Sequence, residues 1–175
     1  VHLRRQRQMC IRDRSKHMLD SKNSAVHVQT FIEADITDLA NWRDNQKTKF
    51  LDSYGEKLTY THPLIHIVSK VLRNFPILNA SLIDDKVIYK KDVNIGLATA
   101  LQDGSLIVPV IKNADELSLA GISKSSNSLV NKARNNNLNP DDVQDGTFTI
   151  SNIGTFDNIM GCLLYTSDAA DEGVR

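Results

Sequence analysis

The chain contains 175 residues, of which 41% are hydrophobic and 24% are charged, and its formal net charge is zero. A chain of this size suits one domain with a sizeable core, and its charge balance gives no electrostatic reason to expect a nucleic-acid or membrane-surface partner. It also lacks an apolar run long enough to span a bilayer, a signal-peptide pattern, and enough cysteines for a disulfide framework.

The two ends of the chain differ in composition from the part between them. The N-terminal end is rich in arginine, which on composition alone is typical of a nucleic-acid-binding arm. Both ends, however, read as translations of opposite strands of one synthetic oligonucleotide, the transposase adapter used for sequencing libraries. We therefore expect residues 1–14 and 162–175 to be adapter-derived and residues 15–161 to be the protein itself. Both cysteines lie in the adapter-like ends, so we expect neither to have a redox or metal-binding role.

Three elements are predicted in the first part of the natural segment. Residues 15–22 suit the end of a helix, and the alternating, β-branched pattern of residues 25–35 predicts a strand. A helix follows over Thr37–Tyr54, with Thr37 as its N-terminal cap and Gly55 as its stop. Its apolar side is expected to consist of Ile36, Leu39, Trp42, Phe50 and Leu51.

A second helix and several strands are predicted next. The helix has Thr61 as a possible cap and Pro63 in its first turn, and it ends before Pro76. Strands or apolar runs follow at Ala80–Ile83, Lys86–Tyr89, Val93–Leu101, Leu106–Ile111 and Thr147–Ser151. The first two of these flank Asp84-Asp85, which suits a tight hairpin.

The remaining signals settle the predicted fold class. Pro109 inside the fourth run argues for a sheet edge or a bulge at that point. A third helix is predicted over Leu117–Asn136, with Ser118 as a possible cap. Hairpins and helices are therefore mixed along the chain, which indicates an α+β fold with a mixed sheet.

Eight segments occur in the order, and nearly in the spacing, of a known family. They are residues 17–22, 25–37, 43, 55–59, 75–81, 93–98, 106–112 and 146–154. Together they resemble the catalytic domain of the 2-oxoacid dehydrogenase acyltransferases, the dihydrolipoamide acyltransferase or E2 component. The resemblance covers essentially all of residues 15–161.

This resemblance implies a fold, a reaction and a set of partners. The fold would be the two-layer α+β fold of chloramphenicol acetyltransferase, incomplete in this chain. The reaction would move an acyl group between coenzyme A and a dihydrolipoyl arm, whose lipoyl group is carried on a domain outside this chain. The protein would form homotrimers with active sites between subunits, assembled into a larger core that works with the E1 and E3 components. Its location would be the bacterial cytoplasm, or the mitochondrial matrix in a eukaryote.

Ser151 matches the family's hydroxyl that donates a hydrogen bond to the tetrahedral oxyanion. It ends a short predicted strand and precedes Asn152 and Gly154, where backbone can approach a ligand closely. The alternative is a turn serine that hydrogen-bonds its own backbone. The resemblance favours the catalytic role.

Four positions match residues that contact coenzyme A in the family: Arg43, Thr59, Ser151 and Asn152. A guanidinium suits a phosphate, and a hydroxyl can donate to or accept from the adenine or pantetheine end. The alternatives are a solvated helix face for Arg43 and a helix-entry cap for Thr59. Two further contact positions of the family fall on Ala100 and Val130, which supply no polar side chain.

The histidines are not expected to supply the catalytic base or a metal site. His62 and His66 have the spacing of a zinc pair, but no third ligand accompanies them at a suitable distance, so we interpret them as packing or surface residues. His27 matches a strand histidine of the family that has no implied proton-transfer role. The family's base belongs to a His-x-x-x-Asp-Gly motif, which this sequence lacks. We therefore expect this polypeptide to be inactive by itself.

Three other functions remain open at this point. The protein is either a component of a 2-oxoacid dehydrogenase complex or a free-standing coenzyme A-dependent acyltransferase. A non-catalytic core subunit would keep the fold without the chemistry. A nucleic-acid-binding protein would use the basic N-terminal arm, and its binding would depend strongly on salt.

Overall fold

The computed structural model describes residues 16, 19, 20, 23, 26–83, 85–101 and 106–154. The predicted adapter-derived ends lie outside these residues. The chain divides into two compact units, of which one is Asp35–Asn152. The described part of the other unit consists mainly of residues 26–34. All the helices and strands named below lie in Asp35–Asn152.

Three α-helices agree closely with the predictions. They are α1 at Thr37–Tyr54, α2 at Thr61–Asn74 and α3 at Leu119–Arg134. Single turns of 3-10 helix follow α2 at Pro76–Asn79 and α3 at Pro140–Asp142. Among the described residues, no helix is long and apolar enough to cross a membrane.

Within the part of the chain that the structure describes, seven short strands form three small sheets. They are β1 (Ala80–Ile83), β2 (Lys86–Tyr89), β3 (Ile95–Leu97), β4 (Thr99–Ala100), β5 (Leu106–Ile107), β6 (Val110–Ile111) and β7 (Phe148–Ile150). β1 pairs with β2, and β4 with β5, in antiparallel hairpins. In the third sheet β3 is central, antiparallel to β6 and parallel to β7. The predicted mixed sheet is therefore confirmed.

The core lies between this three-stranded sheet and the helices α2 and α3. Its buried members are Ile65, Leu72, Val93, Ile95, Leu97, Ile111, Ala114, Ile122 and Leu129. All three residues of β3 are buried, as expected for a strand with neighbours on both edges and side chains packed on both faces.

The strand predicted over residues 25–35 is wrong for the part that the structure describes. Residues 26–35 belong to no strand, and Val26, Val28 and Ile32 are almost fully exposed. Strand propensity mostly reflects how well a side chain packs on a half-buried sheet surface. Because these side chains pack on no such surface, their alternating pattern does not produce a strand.

Two of the three predicted helix caps are also wrong. Thr37 does not accept a backbone N–H; instead its N–H and its hydroxyl both donate to Asp35 Oδ1, at 2.9 and 2.6 Å. Thr61 is the first residue of α2 rather than its cap. Ser118 is confirmed as the cap of α3, since its Oγ accepts from the Gly121 N–H at 3.2 Å.

The predicted apolar side of α1 is mostly exposed. Of the residues predicted for that side, Phe50 is the buried one, and its ring lies 4.8 Å from that of Tyr54. Trp42 and Leu51 are exposed. The helix thus keeps its predicted bounds without the burial that its pattern suggested.

Pro109 interrupts the fourth predicted run, as its ring chemistry requires. The run divides into β5 and β6, with Val108 and Pro109 between them. The Pro109 carbonyl still accepts from the Leu97 N–H at 2.8 Å, although proline itself has no N–H to donate. Gly96 of β3 lies next to Val108, and a Cβ added to Gly96 would lie 2.8 Å from Val108 Cγ1.

Candidate active site

Three of the four predicted site residues lie around one short segment between α1 and α2. Gly55 ends α1 in the left-handed conformation, with φ of 69°, and its N–H donates to the Leu51 carbonyl at 2.8 Å. The chain then reverses and enters α2. Residues Leu58–Thr61 are called the entry turn below.

Arg43 extends from α1 to the entry turn. Its Nε donates to the Leu58 carbonyl at 3.0 Å, and its guanidinium lies 5.1 Å from the centre of the Tyr60 ring. Its Nη1 donates to Asp44 Oδ1 at 2.8 Å. Arg43 is therefore packed on the turn rather than free on a solvated face, and Nη2 makes no hydrogen bond to a described residue.

Thr59 lies in the middle of the entry turn, with an exposed side chain. Its hydroxyl makes no hydrogen bond to a described residue, so it does not cap α2. Its backbone N–H donates to Nδ1 of His62 at 3.3 Å. The main chain is thus fixed while the hydroxyl remains available to a ligand.

His62 belongs to a buried polar cluster between α2 and α3. Its Nδ1 lies 3.1 Å from Ser123 Oγ, and both side chains are almost completely buried. Burial lowers the pKa of His62, and the negative charge of Glu56 opposes that shift. Glu56 in turn accepts a hydrogen bond from Asn127 Nδ2 at 2.6 Å.

Ser151 follows β7 directly, and the parallel pairing of β7 with β3 fixes its backbone. Ile150 pairs with Leu97, and the Ile150 carbonyl accepts from the Ala98 N–H at 3.0 Å. The Ser151 side chain is half-buried and makes no hydrogen bond to a described residue. The alternative of a turn serine bonded to its own backbone is therefore not what the described residues show.

Asn152 connects the end of β7 to the entry turn. Its Nδ2 donates to Thr61 Oγ1 at 3.3 Å. Arg43 and Asn152 therefore hold opposite ends of the entry turn, with Thr59 between them. In this way the structure brings together residues from α1, from the entry turn and from the end of β7.

A buried asparagine fixes the chain that leads into β7. Asn94 Nδ2 donates to the Asp145 carbonyl at 2.8 Å, and Asn94 Oδ1 accepts from the Asn113 N–H at 2.9 Å. The Asn94 N–H donates to Thr147 Oγ1 at 3.0 Å. Because Nδ2 and Oδ1 of Asn94 are both hydrogen-bonded, this side chain fixes the backbone that leads into β7 and on to Ser151.

The remaining positions weighed in the sequence lie apart from this cluster. Ala100 is exposed in β4, and Val130 packs against the core from α3. His66 is half-buried, and its buried Nδ1 has no hydrogen-bond partner among the described residues. His27 belongs to the other compact unit. Within the described ranges, no three His, Cys, Asp or Glu side chains lie close enough together to hold a metal ion.

The sequence did not reveal the buried cluster behind Thr59. His62 and Ser123 lie 61 residues apart in the sequence, and Glu56 and Asn127 lie 71 residues apart. One signal was present, because Ser123 and Asn127 lie four apart and so share a face of α3. Polar residues on the inward face of a helix indicate a partner on the element that packs against it.

The sequence matches a model of the family described as 2-oxoacid dehydrogenases acyltransferase (catalytic domain) over residues 4–163. The lipoamide acyltransferase component of the branched-chain alpha-keto acid dehydrogenase complex of Bacillus subtilis (strain 168) is 40% identical over 157 residues. That alignment covers 89% of this chain and 37% of the relative, so the chain spans well under half of the relative's length.

Two solved structures share the fold. The probable dihydrolipoamide acetyltransferase from Listeria monocytogenes 4b F2365 aligns with a TM-score of 0.82 at 38% identity, over 88% of this chain and 65% of that one. The cubic core of a pyruvate dehydrogenase multienzyme complex aligns with a TM-score of 0.82 at 33% identity, over 90% and 65% of the two chains. The fold class expected from the resemblance is therefore confirmed.

Proposed function

We propose, from the premise that this chain belongs to the family of 2-oxoacid dehydrogenase acyltransferase catalytic domains, that the whole protein moves an acyl group between a dihydrolipoyl arm and coenzyme A. The observation that carries the proposal is the placement of Ser151. Ser151 is half-buried and directly follows β7, whose backbone is fixed by its pairing with β3. Its hydroxyl makes no hydrogen bond to a described residue. Such a preorganised donor suits the oxyanion of acyl transfer.

The residues around the entry turn suit the coenzyme A side of the reaction. Nη2 of Arg43 and the hydroxyl of Thr59 make no hydrogen bond to described residues, so they are available as donors to a phosphate or to an adenine or pantetheine group. Asp44 already holds Nη1 of Arg43, so a phosphate would share the guanidinium with that carboxylate. Asn152 joins the same site from the end of β7.

In this mechanism Ser151 donates to the oxygen of the tetrahedral intermediate as negative charge develops there. A base of the whole protein, which the resemblance places in a His-x-x-x-Asp-Gly motif, takes the proton of the attacking coenzyme A thiol. It returns that proton to the dihydrolipoyl sulfur when the original thioester carbon–sulfur bond breaks. Arg43, Thr59 and Asn152 bind and orient coenzyme A. The lipoyl group arrives on a separate domain, so this chain supplies only part of the site.

The partners and location follow the same premise. Relatives of this chain are components of 2-oxoacid dehydrogenase complexes, and one structural neighbour is a cubic core. We propose homotrimers within such a core, served by E1 and E3 components, in the bacterial cytoplasm or the mitochondrial matrix.

The first test is to sequence the source locus across the Gly161 codon with adapter sequence trimmed. The proposal expects the reading frame to continue to a His-x-x-x-Asp-Gly motif, and it expects residues 1–14 and 162–175 to be absent from the genome. A genome that encodes residues 162–175 followed by a stop codon would refute both the domain boundaries and the activity.

The second test replaces Ser151 with alanine in the whole protein. Losing one oxyanion donor should lower kcat by about 10²–10³-fold, and any rise in KM for coenzyme A, which Ser151 is also expected to contact, should be smaller than this loss. The matched control is Ser128→Ala, which removes an exposed serine hydroxyl on α3. Equal kcat values for Ser151→Ala and the control would overturn the assigned role of Ser151.

A further inference from the structure

The buried pair His62–Ser123 lies directly behind the proposed coenzyme A residues. His62 is 2% exposed and Ser123 is fully buried, and they meet where α2 packs against α3. A polar pair in such a position weakens packing unless its hydrogen bonds are satisfied. The contacts that His62 makes therefore indicate why a polar residue occupies this position.

The hydrogen-bond geometry fixes the protonation state of Nδ1 on His62. The Thr59 backbone N–H can only donate, and it points at Nδ1 from 3.3 Å. If Nδ1 carried a proton, two donors would face each other and neither would have an acceptor. Nδ1 therefore carries no proton, and the ring is neutral. Ser123 Oγ lies 3.1 Å from the same nitrogen and 3.4 Å from the Lys57 carbonyl, so its single proton can be donated to either acceptor.

We propose that His62 is a positioning residue, whose unprotonated Nδ1 fixes the Thr59 backbone and thereby presents Thr59 and Arg43 to coenzyme A. This inference rests on the proposed function and adds a residue to it. The entry turn is held at three points: Leu58 by Arg43, Thr59 by His62 and Thr61 by Asn152. His62 supplies the middle contact, which is made to the backbone of Thr59 itself.

Two substitutions at one position separate the acceptor from the bulk of the ring. In the whole protein, His62→Leu removes the acceptor, whereas His62→Asn keeps a carbonyl oxygen near the position of Nδ1. Ser123→Ala is a milder variant, for use if His62→Leu does not fold, and it removes only the second partner of Nδ1. Ser126→Ala is the matched control, because Ser126 is a buried serine of α3 with no hydrogen bond to His62.

Two measurements are made on each variant. Hydrogen–deuterium exchange mass spectrometry follows a peptide that covers the entry turn, and isothermal titration calorimetry gives Kd for coenzyme A. His62→Leu should speed exchange in the entry turn and raise Kd about tenfold, the size expected for one lost hydrogen bond. Ser123→Ala should shift both in the same direction by less. His62→Asn and Ser126→Ala should stay within about threefold of the wild type.

The outcomes distinguish this inference from the proposed function. Wild-type exchange and Kd in His62→Leu or, where that variant does not fold, in Ser123→Ala would overturn the inference. An equal rise in Kd for His62→Leu and His62→Asn would also overturn it, since the acceptor would then be irrelevant. A wild-type protein that does not bind coenzyme A would refute the proposed function and the claim that His62 presents residues to coenzyme A. Faster exchange in His62→Leu would still support the claim that His62 fixes the Thr59 backbone.

Discussion

Two regions of Asp35–Asn152 differ sharply in how they use apolar residues. The inner region consists of β3, β6 and β7 with the helices α2 and α3, and its apolar side chains form the core. The outer region consists of the β1–β2 hairpin and α1, and it exposes most of its apolar side chains. In the hairpin, Leu82 is 72% exposed and Val87 51%, whereas Ile95 in β3 is fully buried.

The comparison teaches that strand-forming sequence and burial are separate properties. Both regions contain β-branched and aliphatic residues, but it is the side chains of the inner strands that pack into the core with α2 and α3. The exposed apolar side chains of the hairpin and of α1 agree with the proposed assembly into a core, in which a partner would cover them. The candidate site lies where the regions meet, because Ser151 follows the inner strand β7 and Arg43 belongs to the outer helix α1.

The largest expected contrast compares one alanine substitution in each region. Ile95→Ala removes a fully buried side chain from the central strand, and we expect it to lower the free energy of unfolding by about 2–5 kcal/mol. Leu82→Ala removes an exposed one and should change that free energy by less than about 0.5 kcal/mol. Urea unfolding followed by circular dichroism measures both.

The substitutions Ile95→Ala and Leu82→Ala can disprove the difference in burial between the two regions. A cost for Leu82→Ala close to that for Ile95→Ala would mean that the hairpin is covered in solution. In that case the exposed outer surface is an interface, and the cost should fall when the protein is diluted below its assembly concentration.

A smaller effect is expected from adding a methyl group to the inner sheet. The Cβ in Gly96→Ala would approach Val108 Cγ1 to 2.8 Å and Thr149 Oγ1 to 3.1 Å. Such overpacking costs about 1–3 kcal/mol, measured as a lower midpoint of thermal unfolding. Gly121→Ala is a suitable control, because its Cβ would find ordinary contacts of 3.5 Å and a helical glycine gains stability from the change. An equal effect of both substitutions would contradict tight packing at Gly96.

Helix caps give a third contrast between the regions. Ser118→Ala removes the cap of the inner helix α3, and it should cost about 1 kcal/mol of unfolding free energy. Thr37→Ala removes an exposed hydroxyl that only donates to Asp35 at the start of α1, so it should cost less than about 0.5 kcal/mol. The two are compared by urea unfolding. A larger cost at Thr37 would reverse the assignment of the caps.

The smallest expected effect is a pH dependence that originates in the inner region. Burial lowers the pKa of His62, so below about pH 6.5 the unfolded state binds a proton that the folded state resists. The free energy of unfolding should therefore fall as the pH is lowered from 7.5 to 5.5. In the outer region, hydrogen bonds lower the pKa of the exposed Asp35 and Asp44, whose contribution is lost only in more acidic solution.

The control for this pH effect is His62→Asn. Asparagine keeps an acceptor but does not titrate, so the variant should lose less stability than the wild type between pH 7.5 and 5.5. Urea unfolding at the two pH values gives the comparison. Equal losses in both proteins would show that His62 contributes nothing to the pH dependence.

Local signals predicted the elements well and their surroundings less well. The hairpin was predicted residue for residue, because Asp84-Asp85 and the flanking patterns determine it locally. The bounds of α1 were also predicted, since Gly55 ends the helix through its own backbone preference. Residues 25–35 were misjudged because a strand needs a neighbour, which no local pattern can supply.

The candidate site shows the same limit. Ser151, Arg43, Thr59 and Asn152 came from the resemblance, and their roles remain proposals. Physical reasoning from the sequence suggested a solvated face for Arg43, because the carbonyl of Leu58 that it binds is 15 residues away. His62 and Ser123 were missed as a pair for the same reason. Contacts between distant segments depend on the packing of α2 against α3, which the pattern of either helix alone does not reveal.

The parallel pairing of β3 with β7 has a consequence for the order in which the chain folds. Ile95 pairs with Phe148, 53 residues later, whereas the β1–β2 hairpin pairs residues only a few positions apart. Local hairpins and helices form within microseconds, while distant pairings wait for a large loop to close. We therefore expect the hydroxyl of Ser151 to reach its place after the local hairpin and helices have formed. A ribosome that has not yet released residues 147–151 would hold a chain that already contains Arg43 and the entry turn but lacks the proposed oxyanion donor.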